Sequence, residues 1–550
     1  MIASGGQEWV EETDVDRFNL AYALTMNPSS IHTAIASRLT PTKGSICALE
    51  SNTLRWHAAA FYLTNEHGMS EIQSAQTTDD TRHADILIIG GGLSGAMLAA
   101  QLLRLPGRRL VLVIEPRAEL GRGEAYSAVE LGHTLNGNAA RMSVDPDNAD
   151  DLTQWLTEHI AAGGWPESAE QPVPISELFP PRGLFGVYVQ QRLAEAQAVG
   201  ALHGSTVEHV QAEVIDLQTD DDSVRLTLSD GQRLQGAFAV LATGMFPAAR
   251  TPQTESSGLN AAALDPWDVA AMRQLDPQST VLIIGSGLTM VDAVVSLEQA
   301  GHRGPIEVFS RHGLLPHVRR QPPAWVDFLA DDHSLRTPRQ LVRELRRQCR
   351  EAIAQGIDWQ APLDTVRAHI GRLWNQATDL QRRQFVRHVR PWWESHHHRS
   401  PPLSAALVER LHREGRLRIQ AASFKGLEPV QGGVNIRIRR RGEAGTCVVP
   451  GAALINSSGI EYDWRRVARP LPQQLLARGL IQPGPLALGI AAATDGAVLD
   501  VDGQVARRLF AMGPPLRGMW WESTAVTDVA LQAKALAARI VVAADELPLR

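Results

Sequence analysis

Short apolar runs alternate with stretches in which apolar residues return every three or four positions from Ala84 onward. The first run, Ile86–Ile89, breaks on Gly90-Gly91-Gly92 and gives way to helical spacing over Leu93–Leu103, then to a second run at Leu110–Ile114. That order predicts a βαβ unit. The pattern recurs in "VLIIGSGLTMVDAVVSL" (281–297), so a second unit is predicted from Thr280 to "IEVFSRHG" near Arg311. Between the two, helices are expected at Leu152–Ala162 and Leu184–Ala198. Antiparallel strands are expected around Asp230-Gly231, ending on "FAVLATG".

Beyond the second unit, Arg-rich helical spacing runs from about Pro338 to Arg390 and leads into "RPWWESHHHRSPP". Strands return at "VNIRIRRRGEAGTCVVPGAALINSSG", and the chain closes with a strand, a Gly/Pro turn and a final helix. Residues 1–83 show no sustained period and end in a polar, linker-like stretch, so they are expected to be a poorly ordered extension. The loop-rich stretch "GRGEAYSAVELGHTLNGNAARMSVDPDNADD" is too long for a simple connection and reads as functional.

Composition narrows the class. The 550 residues are 44% hydrophobic and 21% charged with a formal charge of -7, which gives no reason to expect nucleic acid or an anionic membrane as partner. Three scattered cysteines without a CxxC disfavour a disulfide framework, a zinc ribbon and a dithiol redox centre. The acidic N-terminus has no signal-peptide pattern, and no apolar run reaches the roughly 18 residues of a membrane span. A reducing cytosol is the default address.

The glycine turns carry the chemistry. In Gly90-Gly91-Gly92-Leu93-Ser94-Gly95, Gly90 permits the tight turn, Gly92 lets backbone approach a pyrophosphate, and Gly95 lets helix and strand pack closely. The helix N-terminus then offers free N–H groups and a positive dipole end to the anion. Glu115 stands about twenty residues on, at the end of the next strand, where it can accept from ribose hydroxyls. The second turn, Gly285-Ser286-Gly287-Leu288-Thr289-Met290, has Met in place of the third Gly, which predicts looser packing. Its following strand ends on Ser310-Arg311-His312 rather than an acid, the pattern suited to the 2′-phosphate of NADP(H).

Two such units nested in one chain, with "VLATG" (Thr243-Gly244 at its end) and "LINSSG" each ending an apolar strand about where the chain would leave one domain for the other, resemble the two-dinucleotide-binding-domain flavoproteins. The segments "GRGEAYSAVELGHTLNGNAARMS", "FPPRGLFGVY", "GSGLTMVD", "WWESHHHRSPP" and "GPPLRGMWWESTAVTDVALQA" resemble the bacterial FAD-NAD(P)-binding proteins, relatives of flavin monooxygenases that hydroxylate amine or amino-acid nitrogen. The resemblance implies an α/β fold of two nested Rossmann-like domains plus a helical cap. FAD would occupy residues 84–250 and 461–550, NADPH residues 251–335 and 404–460, and the Arg-rich cap residues 336–403. It also implies that Arg122, His133, Asn136, Asn138 and Arg141 serve FAD phosphates or the isoalloxazine edge.

Near the C-terminus, Gly513 and the stretch Ser523-Thr524-Ala525 fit the flavin end, with Ser523 and Thr524 as N-cap candidates whose helix would aim its positive end at reduced flavin. His396–His398 are not expected to bind metal, because consecutive residues do not share a face. His398 and Arg399 are instead expected to contact an anionic group. The Arg-rich helices read either as a positive lid suited to an acidic substrate or as a solvated face. The expected activity is an NADPH-dependent monooxygenase acting with molecular oxygen on the nitrogen of a small molecule. Two other readings stay open: a reductase passing electrons to a quinone or small electrophile, and a non-catalytic redox sensor. No nucleophilic triad or carboxylate pair is needed, because the cofactors bring the reactivity.

Overall fold

The computed structural model describes residues 81–165, 173–247, 263–330 and 337–545. The expected extension therefore lies outside the described residues up to residue 80. The chain enters through β1 (Thr81–Ile89), α1 (Leu93–Arg104) and β2 (Leu110–Ile114). A long loop follows, with α2 (Asp151–Ala161) and α3 (Arg182–Ala201), and then β3 (Thr206–Val210), β4 (Val214–Thr219), β5 (Val224–Leu228) and β6 (Arg233–Leu241). β7 (Phe246–Pro247) leads to β8 (Ala263–Leu264), β9 (Val281–Ile284), α4 (Leu288–Gln299) and β10 (Ile306–Ser310).

Cap helices come next: α5 (Pro338–Ala354), α6 (Gln360–Val366), α7 (Ile370–Gln376), α8 (Asp379–Gln384), a π-helical turn at Phe385–Val389, and α9 (Arg390–His397). After α10 (Pro402–Arg413) the chain forms β11 (Leu417–Val430), β12 (Gly433–Arg440), β13 (Cys447–Gly451) and β14 (Ala453–Asn456). It returns through β15 (Ile460–Glu461) to β16 (Ala497–Leu499), β17 (Val505–Ala511) and α11 (Val526–Asp545).

The first sheet has the order β16-β17-β6-β1-β2-β3, with β5 and β4 added antiparallel from β6. The second has the order β13-β12-β11-β10-β9-β14-β8 and is parallel from β11 to β8. β7 and β15 pair antiparallel where the chain leaves the first sheet and returns to it. This is the expected α/β architecture, one Rossmann-like sheet inserted in another with a helical cap.

β1 is longer than the apolar run implied: polar Thr81–Ala84 pair in register with Arg233–Gly236. Backbone pairing, not side-chain burial, extends the strand there. Ile86–Ile89 are buried on both faces, as parallel strands covered by helices require. α1 is packed between α3 and α11, with Leu98, Leu102 and Leu103 wholly buried. Each such side chain contributes about 1.5–3 kcal/mol by leaving water.

Candidate cofactor and substrate site

The two glycine corners are built alike. Gly90 and Gly285 both have φ in the left-handed region, +105° and +99°. A Cβ on Gly90 would overlap the Ala242 carbonyl, and one on Gly285 the Ser457 carbonyl. Those carbonyls belong to the turns that follow β6 and β14, so "VLATG" and "LINSSG" are the exit turns packed against the first glycine of each corner. Only glycine meets both demands. A Cβ on Gly95 would likewise overlap the Gly90 carbonyl oxygen and lie 3.0 Å from its carbon, so the third glycine is the contact between α1 and the turn.

Neither α1 nor α4 has a side-chain N-cap: Gly92 and Gly287 stand there in extended conformation. Both N-termini therefore leave their first backbone N–H groups without a side-chain cap. At the first corner Glu115 is buried; its Oε2 accepts from Gly91 N at 2.9 Å and its Oε1 from Arg117 N at 3.1 Å. Gly121 N bonds Gly91 O at 2.7 Å, folding the long loop over the corner. Arg122 pairs with Glu119 at 2.8 Å and bonds Gln190 at 3.1 Å. From the far end of the chain, a Cβ on Gly513 would meet Ser94 Oγ at 2.5 Å and Ser523 O at 3.9 Å. Thr243, Gly513, Ser94 and Ser523 thus gather at the first corner.

At the second corner Gly287 is exposed with nothing within 4 Å of a would-be Cβ, and Leu288 and Thr289 are half-buried. Ser286 Oγ donates to Ser310 Oγ at 2.8 Å, and Gly313 N donates to the same oxygen at 3.0 Å, which fixes the turn that carries exposed Arg311. Met290 is wholly buried among Met272, Ile283 and Val294, filling the helix–sheet core where the first corner has Gly95.

The long loop distributes its other candidates across two seams. His133 is buried; its Nε2 lies 2.7 Å from Ser296 Oγ and 3.2 Å from the Asp292 carbonyl, on α4 rather than the first corner. Arg182 pairs with buried Asp292 at 3.0 Å beside it. Burial pushes the Asp292 carboxyl above its usual range, with Arg182 and His133 opposing. Burial also lowers His133. Asn136 is half-buried, Asn138 Nδ2 donates to Gln321 Oε1 at 3.0 Å, and Arg141 pairs with Asp364 of the cap at 3.1 Å. Gly244 has φ +71° and open space around it.

Two local expectations need correction. Ser523 and Thr524 do not cap α11. Turn bonds from Ser523 N to Trp520 O and from Ala525 N to Glu522 O carry the chain one step further, and Val529 N bonds Ala525 O. Ala525 therefore takes the cap position, Thr524 Oγ1 accepts from Arg517 at 3.3 Å, and Ser523 Oγ is buried without a partner. Arg399, expected to meet an external anion, is wholly buried and donates to Asp364 and Gln360 of α6.

The consecutive histidines also behave differently from the shared-face argument. α9 ends at His397, and His398 leaves it at φ -85°, ψ 75°. His397, His398 and Glu522 consequently offer ligand-type atoms within 4.8 Å of one another. His397 is held well below its usual value by burial and by His398, Arg367, Arg399 and Arg319, so this ring is neutral among cations.

Sequence reasoning missed the aromatic and cationic cluster beside these groups. Arg517 lies 4.2 Å from the Trp521 ring centroid, Trp374 packs on Trp521 at 4.7 Å, and Trp374 Nε1 donates to Gly518 O at 2.9 Å. The tandem tryptophans of "MWWEST" were the available signal.

FAD fits the first corner on this structure's own terms. The turn has no room for a Cβ, the α1 N-terminus has no side-chain cap, and Thr243 Oγ1 and Ser523 Oγ are buried without partners among the described residues. A second dinucleotide fits the other corner by the same backbone logic. Residues 87–246 match the family model described as FAD-NAD(P)-binding. The chain carries an FAD-NAD(P)-binding domain.

This flavoprotein fold has solved counterparts. The ornithine N-hydroxylase of Kutzneria sp. 744, solved with reduced FAD, NADP+ and L-ornithine, is similar at 12% identity and TM-score 0.55, over 84% of this chain and 99% of that one. The cadaverine monooxygenase of Erwinia amylovora, solved with FAD, gives 11% identity and TM-score 0.58 over 84% and 95%. The L-lysine 6-monooxygenase of Pseudomonas syringae gives 15% and 0.53 over 84% and 100%. No curated protein matches the chain. Among the described residues no helix is long and apolar enough to cross a membrane.

Proposed function

We propose that this flavoprotein is an NADPH-dependent monooxygenase that hydroxylates the nitrogen of a small amine or amino acid. The overall conversion balances as amine, O₂, NADPH and a proton giving hydroxylamine, NADP+ and water. Bound FAD and NADPH supply hydride transfer and oxygen activation. The observation that carries the reading is the pair of equivalent, uncapped glycine corners, joined to a cap that closes over the C-terminal segment. The activities of the three similar proteins support the choice of nitrogen as the reacting atom.

The chain's own residues have three tasks in this reading. Gly90–Gly95 and Glu115 hold the FAD adenine nucleotide in the module of residues 84–250 and 461–550. Gly285, Gly287, Leu288, Thr289 and Arg311 hold NADPH in residues 251–335 and 404–460, with exposed Arg311 facing the 2′-phosphate. The cap of residues 336–403 keeps water from the reacting centre: Trp374, Phe385 and Trp521 form a continuous apolar wall, with ring centroids 4.7–6.1 Å apart.

A screen of amines and amino acids, following NADPH and oxygen consumption with a hydroxylamine assay, tests the proposal. Hydroxylamine formed in step with NADPH use supports it. NADPH use that depends on a quinone and proceeds without oxygen refutes it in favour of a reductase.

A further inference from the structure

Four arginines from distant parts of the chain meet where the long loop, the Val318–Gln321 segment and the cap come together. Arg141 Nη2 is 3.1 Å and Arg319 Nη1 4.0 Å from the Asp364 carboxylate, and Arg399 donates to the same group. Three guanidiniums therefore share one carboxylate. The fourth, Arg367, is already matched, pairing with Asp528 at 3.1 Å and bonding Thr527 Oγ1 at 2.9 Å in the first turn of α11. Arg319 is the least compensated. Its side chain is 10% exposed, and among the described residues its Nε is buried without a partner and it bonds the His397 carbonyl at a long 3.4 Å. Burial, with Arg399, Arg141 and Arg367 nearby and Asp364 opposing, brings Arg319 down to about 9. Guanidinium does not relieve such crowding by giving up a proton as lysine does; an anion relieves it.

We propose that Arg141 and Arg319 form a binding site for a carboxylate group of the substrate. The inference rests on the monooxygenase reading for the word substrate, but the site itself does not. Arg141 is 43% exposed and is the guanidinium a ligand reaches from solvent, while Arg399 is wholly buried on Asp364. Arg319 adds the donor that is desolvated and unmatched. A planar carboxylate suits two converging guanidinium forks. The site offers side-chain guanidiniums, whereas the glycine corners offer backbone N–H groups. It adjoins the first turn of α11 through Arg367, which places a bound carboxylate beside the segment assigned to flavin. Arg141 is then a substrate residue rather than a flavin-phosphate residue, and carboxylate-bearing nitrogen compounds are preferred to simple diamines.

The test uses the full-length, FAD-loaded, oxidised protein and titration calorimetry at low salt with succinate as probe and succinamide as the uncharged control. Saturable succinate binding is expected, weakened about tenfold or more in Arg319→Gln and in Arg141→Gln and partly restored in Arg319→Lys. Succinamide is expected not to bind. Arg141→Gln, at an accessible position, decides the matter if Arg319→Gln does not fold. Absence of saturable binding, equal affinity in wild type and variants, or displacement of succinate by NADP+ or inorganic phosphate overturns the proposal; displacement would reassign the cluster to a cofactor phosphate. No turnover is involved, so failure of the N-hydroxylation reading registers separately, in the amine screen alone.

Discussion

Replacing Gly287 by Ala separates ligand approach from folding at the second corner. The backbone there, φ -84° and ψ -167°, is open to any residue, and an added methyl would meet nothing within 4 Å. Alanine is a poorer N-cap than glycine, at a cost of about 0.5–1 kcal/mol, so the melting temperature should fall by only a few degrees. The same methyl stands at the exposed N-terminus of α4, where the proposal places the pyrophosphate. A phosphate held back there loses at least one charge-assisted hydrogen bond, about 1.5–3 kcal/mol, which is about a ten- to hundredfold loss of affinity. Calorimetric titration with NADP+, beside flavin content and thermal unfolding, reads all three quantities. Gly95→Ala is the contrasting variant: its methyl would overlap the Gly90 carbonyl, so it should fail to fold or to retain FAD. A Gly287→Ala protein that bound NADP+ like wild type would refute the assignment of this corner. So would one that lost flavin and NADP+ affinity together.

Three further outcomes follow from the same geometry. Arg311→Ala should raise the KM for NADPH much more than that for NADH, and equal effects would remove the 2′-phosphate role. Arg182→Met should leave buried Asp292 without its counter-charge and cost about 3–5 kcal/mol at neutral pH. Because burial already favours the protonated carboxyl, that loss should shrink as pH falls, and a pH-independent loss in denaturant titrations would contradict it. Burial, with His396, Arg399 and Arg320 nearby, lowers His317 to about 4, and burial also lowers His133 and His397. All three then favour the neutral ring when folded. Their contribution is complete above the unfolded value near 6.5 and is lost as pH falls toward 4, with His317 alone giving about 3 kcal/mol. Stability that stayed flat over that interval would count against the buried-histidine account.

The glycine corners were legible in sequence because everything they need lies within a dozen residues: an apolar strand, glycines at fixed spacing and a helix. The nesting was legible too, since "VLATG" and "LINSSG" mark the exit turns that pack on Gly90 and Gly285. Features set by partners far along the chain were not. Thr81–Ala84 look like linker until Arg233–Gly236 pair with them. His133, read from its loop as a flavin donor, lies against Ser296 because α4 docks on that loop. Arg141, Arg319, Asp364 and Arg399 carry no common motif, and only the seam between loop and cap reveals that they share one carboxylate. The histidine run misled for a local reason: periodicity arguments assume that the helix continues, and it stops at His397.

Anaerobic rapid mixing of the FAD-loaded protein with NADPH most directly tests whether two dinucleotides meet in this chain. Loss of the oxidised flavin's visible absorbance, at a rate that saturates with NADPH and is slowed by Gly287→Ala, is the predicted result. Protein that takes up no flavin, or whose bound flavin NADPH leaves oxidised, would contradict it.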